Sequence, residues 1–131
     1  MRAYLLRGHV DGEAEGELVV IQGRLSFYGE VDRETGCLND GRCLEGKILV
    51  AEGSRGSTVG SYIIYGLARR GKGPSGIVVA QPDPILVAGA VMGAVPLASG
   101  LPKDALRELR DGCRASLAVR SPKAILRVKC G

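Results

Sequence analysis

Gly53-Ser54-Arg55-Gly56-Ser57-Thr58-Val59-Gly60-Ser61 stands between two apolar stretches of different period. Before it, Lys47-Ile48-Leu49-Val50 reads as a buried strand. After it, Tyr62-Ile63-Ile64-Tyr65-Gly66-Leu67-Ala68-Arg69-Arg70 reads as a helix that ends near Gly71. A strand, a glycine-rich turn and a helix start in that order expose backbone N–H groups that have no partner within the helix. The partial positive charge of the helix N-terminus favours an anion there. Arg55 adds a forked cationic donor suited to carboxylate or phosphate. Ser54, Ser57, Thr58 and Ser61 add hydroxyls, and any one of them can instead be an N-cap for the helix. The stretch lacks the Lys that precedes the last Ser/Thr of a P-loop, and it lacks GxGxxG spacing, so nucleotide binding is poorly supported.

The 131 residues fit one domain, with 45% hydrophobic and 24% charged content, as in a globular chain. Twenty glycines against 4% aromatics leave Val, Ile, Leu and Ala to build the core. The net charge of +4 comes with too few aromatics to stack bases, and nucleic acid is not an expected partner. The longest apolar run, Ile85 to Leu97, contains Pro96 and falls short of the roughly 20 residues of a membrane span. The N-terminal residues lack the apolar core of an export signal. A cytoplasmic protein with no membrane partner is expected. Cys37, Cys43, Cys113 and Cys130 show no CxxC and no ligand-like repeat, so free thiols are expected rather than disulfides, with no metal held by this chain.

Along the chain, Ala3–Leu6 reads as a short strand, followed by a polar turn through Gly8, Asp11 and Gly12. The second half of Glu13–Ile21 reads as another strand. His9, the single histidine, reads as a solvated residue outside any site. Leu25–Asp32 reads as a loop holding Phe27 and Tyr28, either a plug over the core edge or a lid on a ligand pocket. Gly76–Ala80 is a buried strand. Asp83-Pro84 has the form of an N-cap and first helical residue for a helix over Ile85–Val95. Pro96–Ala98 is a brief strand, and Pro102–Asp111 has helical spacing with Gly112 as its stop. Ala115–Val119 and Ala124–Val128 form a hairpin around Ser121-Pro122-Lys123. Strand and helix alternate after Lys47, which indicates parallel βαβ units, with antiparallel strands at both ends of the chain. The expected fold is one mixed α/β domain with a barrel-like sheet.

Three motifs in register carry a family likeness. Ser26-Phe27-Tyr28-Gly29-Glu30-Val31-Asp32, the Gly53–Ser61 stretch and Gln81-Pro82-Asp83-Pro84-Ile85-Leu86 together resemble the swivelling domain of the aconitase X family. The first is similar to that family's Ser-Phe-Trp-Gly-Gly-Val-Asp, with Tyr28 for Trp and Glu30 for Gly. The second is similar to Arg-Gly-Ser-Ser-x-Gly-Ser, with Thr58 for the second Ser. The likeness spans nearly the whole chain. It implies a swivelling β/β/α fold, like the fourth domain of aconitase, over 1–131. It also implies a hydro-lyase subunit that works as a heterodimer with a large subunit carrying an iron–sulfur cluster.

In archaea such pairs dehydrate (R)-5-phosphomevalonate to trans-anhydromevalonate 5-phosphate, a step toward isoprenoids. The family's catalytic serine falls on Ser57. Arg55, Gly56, Thr58 and Ser61 are then expected to hold a small anionic, phosphorylated substrate, with a further contribution from the Phe27–Tyr28 loop. Two alternatives remain open. One is dehydration of another hydroxy acid, such as a hydroxyproline. The other is a non-catalytic module that binds an anion or a partner protein.

Overall fold

The computed structural model describes residues 1–130. Seven strands close into a barrel: β1 (Arg2–Val10), β2 (Gly12–Val20), β4 (Ile48–Ala51), β6 (Gly76–Val79), β7 (Leu97–Ser99), β8 (Arg114–Arg120) and β9 (Lys123–Lys129). Their order around the barrel is β1-β7-β6-β4-β2-β8-β9. Two short strands, β3 (Arg24–Leu25) and β5 (Gly53–Ser54), pair in parallel beside it.

The barrel has two halves, and burial explains the difference. β2, β4, β6 and β7 are joined in parallel. Every residue of β4, β6 and β7 is buried, because helices cover the outside as side chains fill the inside. α2 (Val59–Arg70) and α3 (Pro84–Gly93) form that outer layer, setting Ile63, Ile64, Leu67, Leu86 and Ala90 against Leu49, Ile77, Val79 and Leu97. The helices lie close because Gly89 has no side chain: a Cβ there would stand 2.8 Å from Ile64 Cβ.

The other half is antiparallel, through β1–β9, β8–β9 and β2–β8. There β8 and β9 alternate between buried and exposed positions, leaving one face in solvent. Leu6, Leu18, Val20, Leu117, Val119, Leu126 and Val128 point into the barrel. The short helix α4 (Lys103–Glu108) adds Ala105 and Leu106 to the same interior cluster.

The mixed, barrel-like sheet agrees with the alternation read from sequence, but several local expectations are corrected. β1 runs on through Gly8 to Val10, where a polar turn was expected. Gly8 is required there by close approach, since a Cβ would lie 2.5 Å from the Lys123 carbonyl oxygen. Leu25–Asp32 is not all loop: Leu25 ends β3, and Phe27–Glu30 forms a one-turn helix, α1, whose Gly29 N–H donates to Ser26 Oγ at 3.1 Å. His9 is half-buried in β1, its Nε2 2.6 Å from Ser99 Oγ. α4 stops at Glu108 rather than Asp111. Asp111 instead accepts the Val20 N–H at 2.7 Å and pairs with Arg42 at 2.9 Å.

The cysteines are not free thiols. Cys37 and Cys43 form a disulfide across an isolated antiparallel bridge, and Cys113 pairs with Cys130 at the open ends of the β8–β9 hairpin. Their Cα separations of 3.8 and 4.6 Å arise from the folding of a loop and a hairpin. Linear spacing does not display that proximity. Among the described residues no helix is long and apolar enough to cross a membrane.

Candidate functional site

The glycine-rich stretch sits where β4 ends and α2 begins. Gly53 and Ser54 pair with Arg24 and Leu25, and the Arg55 N–H donates to the Leu25 carbonyl at 3.1 Å. These bonds carry the chain across the end of the barrel before Arg55, Gly56, Ser57 and Thr58 emerge as an exposed loop. Gly56 has φ +97°, the left-handed region that glycine enters without penalty. A Cβ there would meet Ser26 Oγ at 3.0 Å, so the loop leans on the start of α1.

Ser57 is exposed, and its Oγ accepts the Val59 N–H at 3.1 Å. This local turn bond is the capping behaviour expected of a hydroxyl beside a helix start. Thr58 occupies the N-cap position of α2 without a side-chain cap bond. Ser61 is turned inward: it is buried and its hydroxyl donates to the Thr58 carbonyl at 2.9 Å. Ser54 is buried too, donating its hydroxyl to Asp83 Oδ1 at 2.8 Å.

The structure therefore gathers Arg55, Gly56, Ser57 and Thr58 on one exposed loop and leaves Ser61 beneath it. Phe27 is 2% exposed and packs into the helix-side core, as a plug would. Tyr28 is 58% exposed, with the Arg33 guanidinium 5.8 Å from its ring centre. Asp83 caps α3 through the Leu86 N–H at 3.0 Å and also accepts the Ser54 N–H at 3.0 Å. One carboxylate thus ties the third motif to the second.

Two neighbours of the loop are missed by sequence reasoning. Glu30, at the end of α1, accepts a hydrogen bond from the Arg55 guanidinium and forms an ion pair with it. Arg24 donates to the Ser54 carbonyl at 3.3 Å and to Gln81 Oε1 at 2.6 Å, clamping β5 from outside. The signal for Glu30 was present: an acid stands where the similar family has glycine, in a motif preceding one built on arginine. Just beyond α1, Asp32 is held below the usual carboxylate range by the backbone N–H groups of Thr35 and Glu34.

The residues present do not fit an iron–sulfur cluster. Such a cluster needs several thiolates converging on one point. Here the cysteines are joined in two separate disulfides. No group of three or more His, Cys, Asp or Glu gathers as a metal site among the described residues.

Comparison with known proteins matches this geometry to a family. The profile of the aconitase X swivel domain matches residues 4–127. A protein of Aeropyrum pernix named phosphomevalonate dehydratase small subunit is 49% identical over 111 residues, covering 85% of this chain and 83% of that protein. One of the same name from Pyrococcus abyssi is 43% identical, covering 82% and 85%. The crystal structure of Thermococcus kodakaraensis aconitase X in its holo form aligns with a TM-score of 0.83 at 36% identity. The alignment covers 95% of this chain and 98% of that one. The chain belongs to the aconitase X swivel-domain family.

Proposed function

We propose that this chain is the small subunit of a hydro-lyase, active with a large subunit, that dehydrates (R)-5-phosphomevalonate to trans-anhydromevalonate 5-phosphate. The names of its relatives support the substrate and the subunit role. The observation that carries the reading is the exposed Ser57 hydroxyl, held by the Val59 N–H at the start of α2 and adjoining the Arg55 loop position. Such a loop is half of a cleft, and a second polypeptide is needed to close it and exclude water.

The reaction removes a C–H proton beside a carboxylate and releases a hydroxyl from the neighbouring carbon as water. Ser57 Oγ takes the proton. A serine takes a proton from carbon only in its alkoxide form, and a backbone donor with the positive end of a twelve-residue helix favours that form by preorganised stabilisation. Arg55 exchanges Glu30 for the substrate carboxylate, whose charge grows as the proton leaves. Gly56 lets the backbone approach, and Thr58 presents a hydroxyl to the same oxyanion. Ser61 fixes the turn through the Thr58 carbonyl, and Tyr28 forms the outer wall. The iron–sulfur centre implied by the resemblance belongs to the large subunit in this reading.

The test is Ser57→Ala in the co-purified pair. Turnover of 5-phosphomevalonate is expected to fall by about 10²–10⁴-fold, while size-exclusion chromatography shows the pair intact. Near-normal turnover overturns the role of Ser57. A wild-type chain that binds the large subunit but yields a pair inactive on phosphomevalonate and active on a hydroxyproline overturns the substrate.

A further inference from the structure

A second electropositive feature lies outside the Ser57 loop. Ser99, Arg7 and Lys123 are successive register partners on β7, β1 and β9. Like charges directly opposite on neighbouring strands are destabilising. The arrangement persists without compensation: among the described residues neither Arg7 nor Lys123 has a carboxylate within 4.0 Å. Arg120, next in the row beyond Lys123, differs in having Asp11 nearby.

Beside the pair opens a cavity of about 730 Å³, walled by Arg7, Lys123, Gln81 and Ser99 with apolar surface from Leu5 and Pro82. Leu5 is 86% exposed. Gln81 contributes a directional donor. Its Oε1 accepts from Arg24, and a guanidinium pairs only with the oxygen of an amide, so the Gln81 NH₂ remains available to a ligand. The cavity lies at the C-terminal ends of β6 and β7, as the Ser57 loop follows the C-terminal end of β4. The Gln81 N–H donates to the Glu52 carbonyl at 3.0 Å, joining the two regions.

We infer that this cavity is an anion subsite for a phosphate monoester, with Arg7 and Lys123 neutralising the phosphate, the Gln81 amide donating to it, and Leu5 and Pro82 flanking the ester's carbon chain. Two facing cations match a dianion better than a single carboxylate. The inference does not depend on the role of Ser57. The phosphate belongs either to the substrate or to a separate phosphorylated ligand, and the chemistry of the subsite is the same.

The test is an amide NMR titration of the full chain with inorganic phosphate and with methyl phosphate, against sodium chloride at matched ionic strength. Saturable shifts are expected around Gln81, Gly100, Lys123 and Ala124, with binding about tenfold weaker in Arg7→Ala and in Lys123→Ala. Both variants remove a like-charge pair, so thermal melts that stay equal or rise show that they fold. The inference is overturned by shifts that chloride reproduces, that survive both substitutions, or that centre on Ser57–Gly60 instead. In the assembled pair, Arg7→Ala separates the sources. A KM for the phosphorylated substrate raised about tenfold with kcat kept assigns the phosphate to the substrate. An unchanged KM beside a positive titration assigns it to a separate ligand.

Discussion

Gly56 rests against Ser26: with φ at +97°, its missing Cβ would stand 3.0 Å from the Ser26 hydroxyl oxygen. Ser26 is itself fixed, buried and capping α1 through the Gly29 N–H. The first and second motifs therefore meet at a point where a single methyl does not fit without movement. Gly56→Ala is expected to cost about 1–2 kcal/mol of stability, from the left-handed backbone and the crowding together. It also displaces Ser57, so turnover should fall more steeply than stability. Denaturant melts and kcat on the assembled pair check both, and a variant with wild-type kcat would show that the loop tolerates the shift.

Asp83 joins three donors, the Leu86 N–H, the Ser54 N–H and the Ser54 hydroxyl. Asp83→Ala removes a helix cap and leaves two groups of a buried residue unpaired, which should destabilise by about 2–3 kcal/mol. Ser54→Ala loses only the hydroxyl bond and keeps the other two, so about 1 kcal/mol is expected. Equal losses from the two substitutions in a thermal or denaturant melt would contradict this division.

Glu30 engages the guanidinium that the proposed substrate must use. The Arg55 side chain is 58% exposed, so the ion pair contributes little to folding. Glu30→Gln should leave the melting temperature unchanged and lower KM for an anionic substrate by roughly 2–5-fold, with kcat little altered. A raised KM would instead mean that Glu30 orients Arg55 for binding.

The disulfides close loops of unequal length, with separations of 6 and 17 residues. On the chain-entropy account their removal should cost about 2 and about 3 kcal/mol respectively. Alkylation of the unfolded chain without reductant should leave the mass unchanged, and after reduction should add four adducts. Four adducts without reductant would show free thiols.

Asp32 supports the turn after α1, its carboxylate accepting the Glu34 and Thr35 N–H groups at 2.8 and 2.9 Å. Its pKa lies below the usual value, with the backbone bonds as the cause. A carboxyl whose folded pKa is depressed stabilises above its unfolded pKa, and that support is lost as pH falls through the folded value. A carbon-13 titration should therefore place the Asp32 midpoint below the ordinary aspartate range. A midpoint at or above that range would refute the turn bonds.

How much of this was legible in the sequence differs by element. Continuous apolar runs in Lys47–Val50 and Gly76–Ala80 marked buried strands, which the structure places at Ile48–Ala51 and Gly76–Val79, and Asp83-Pro84 marked a helix start that the structure retains. The Arg55–Thr58 loop was legible because glycines, hydroxyls and an arginine crowd between a strand and a helix. The inward turn of Ser61 was not legible, since a hydroxyl one turn into a helix reaches either solvent or the backbone, and only its neighbours select between them. The strand through Gly8 was read as a turn because glycine has the same composition signal in a turn and beneath a crossing backbone.

The sequence by itself determined the alternating strand and helix order, the family likeness and the place of the Arg55–Thr58 loop, because periodicity and local turn chemistry are properties of neighbouring residues. Tertiary structure alone decided that Cys37 meets Cys43, that Glu30 holds Arg55, that Asp83 fastens Ser54, and that Arg7 faces Lys123. Closing the sheet into a barrel brings together residues far apart in the chain. The energy of those meetings depends on distance in space, which no local pattern records.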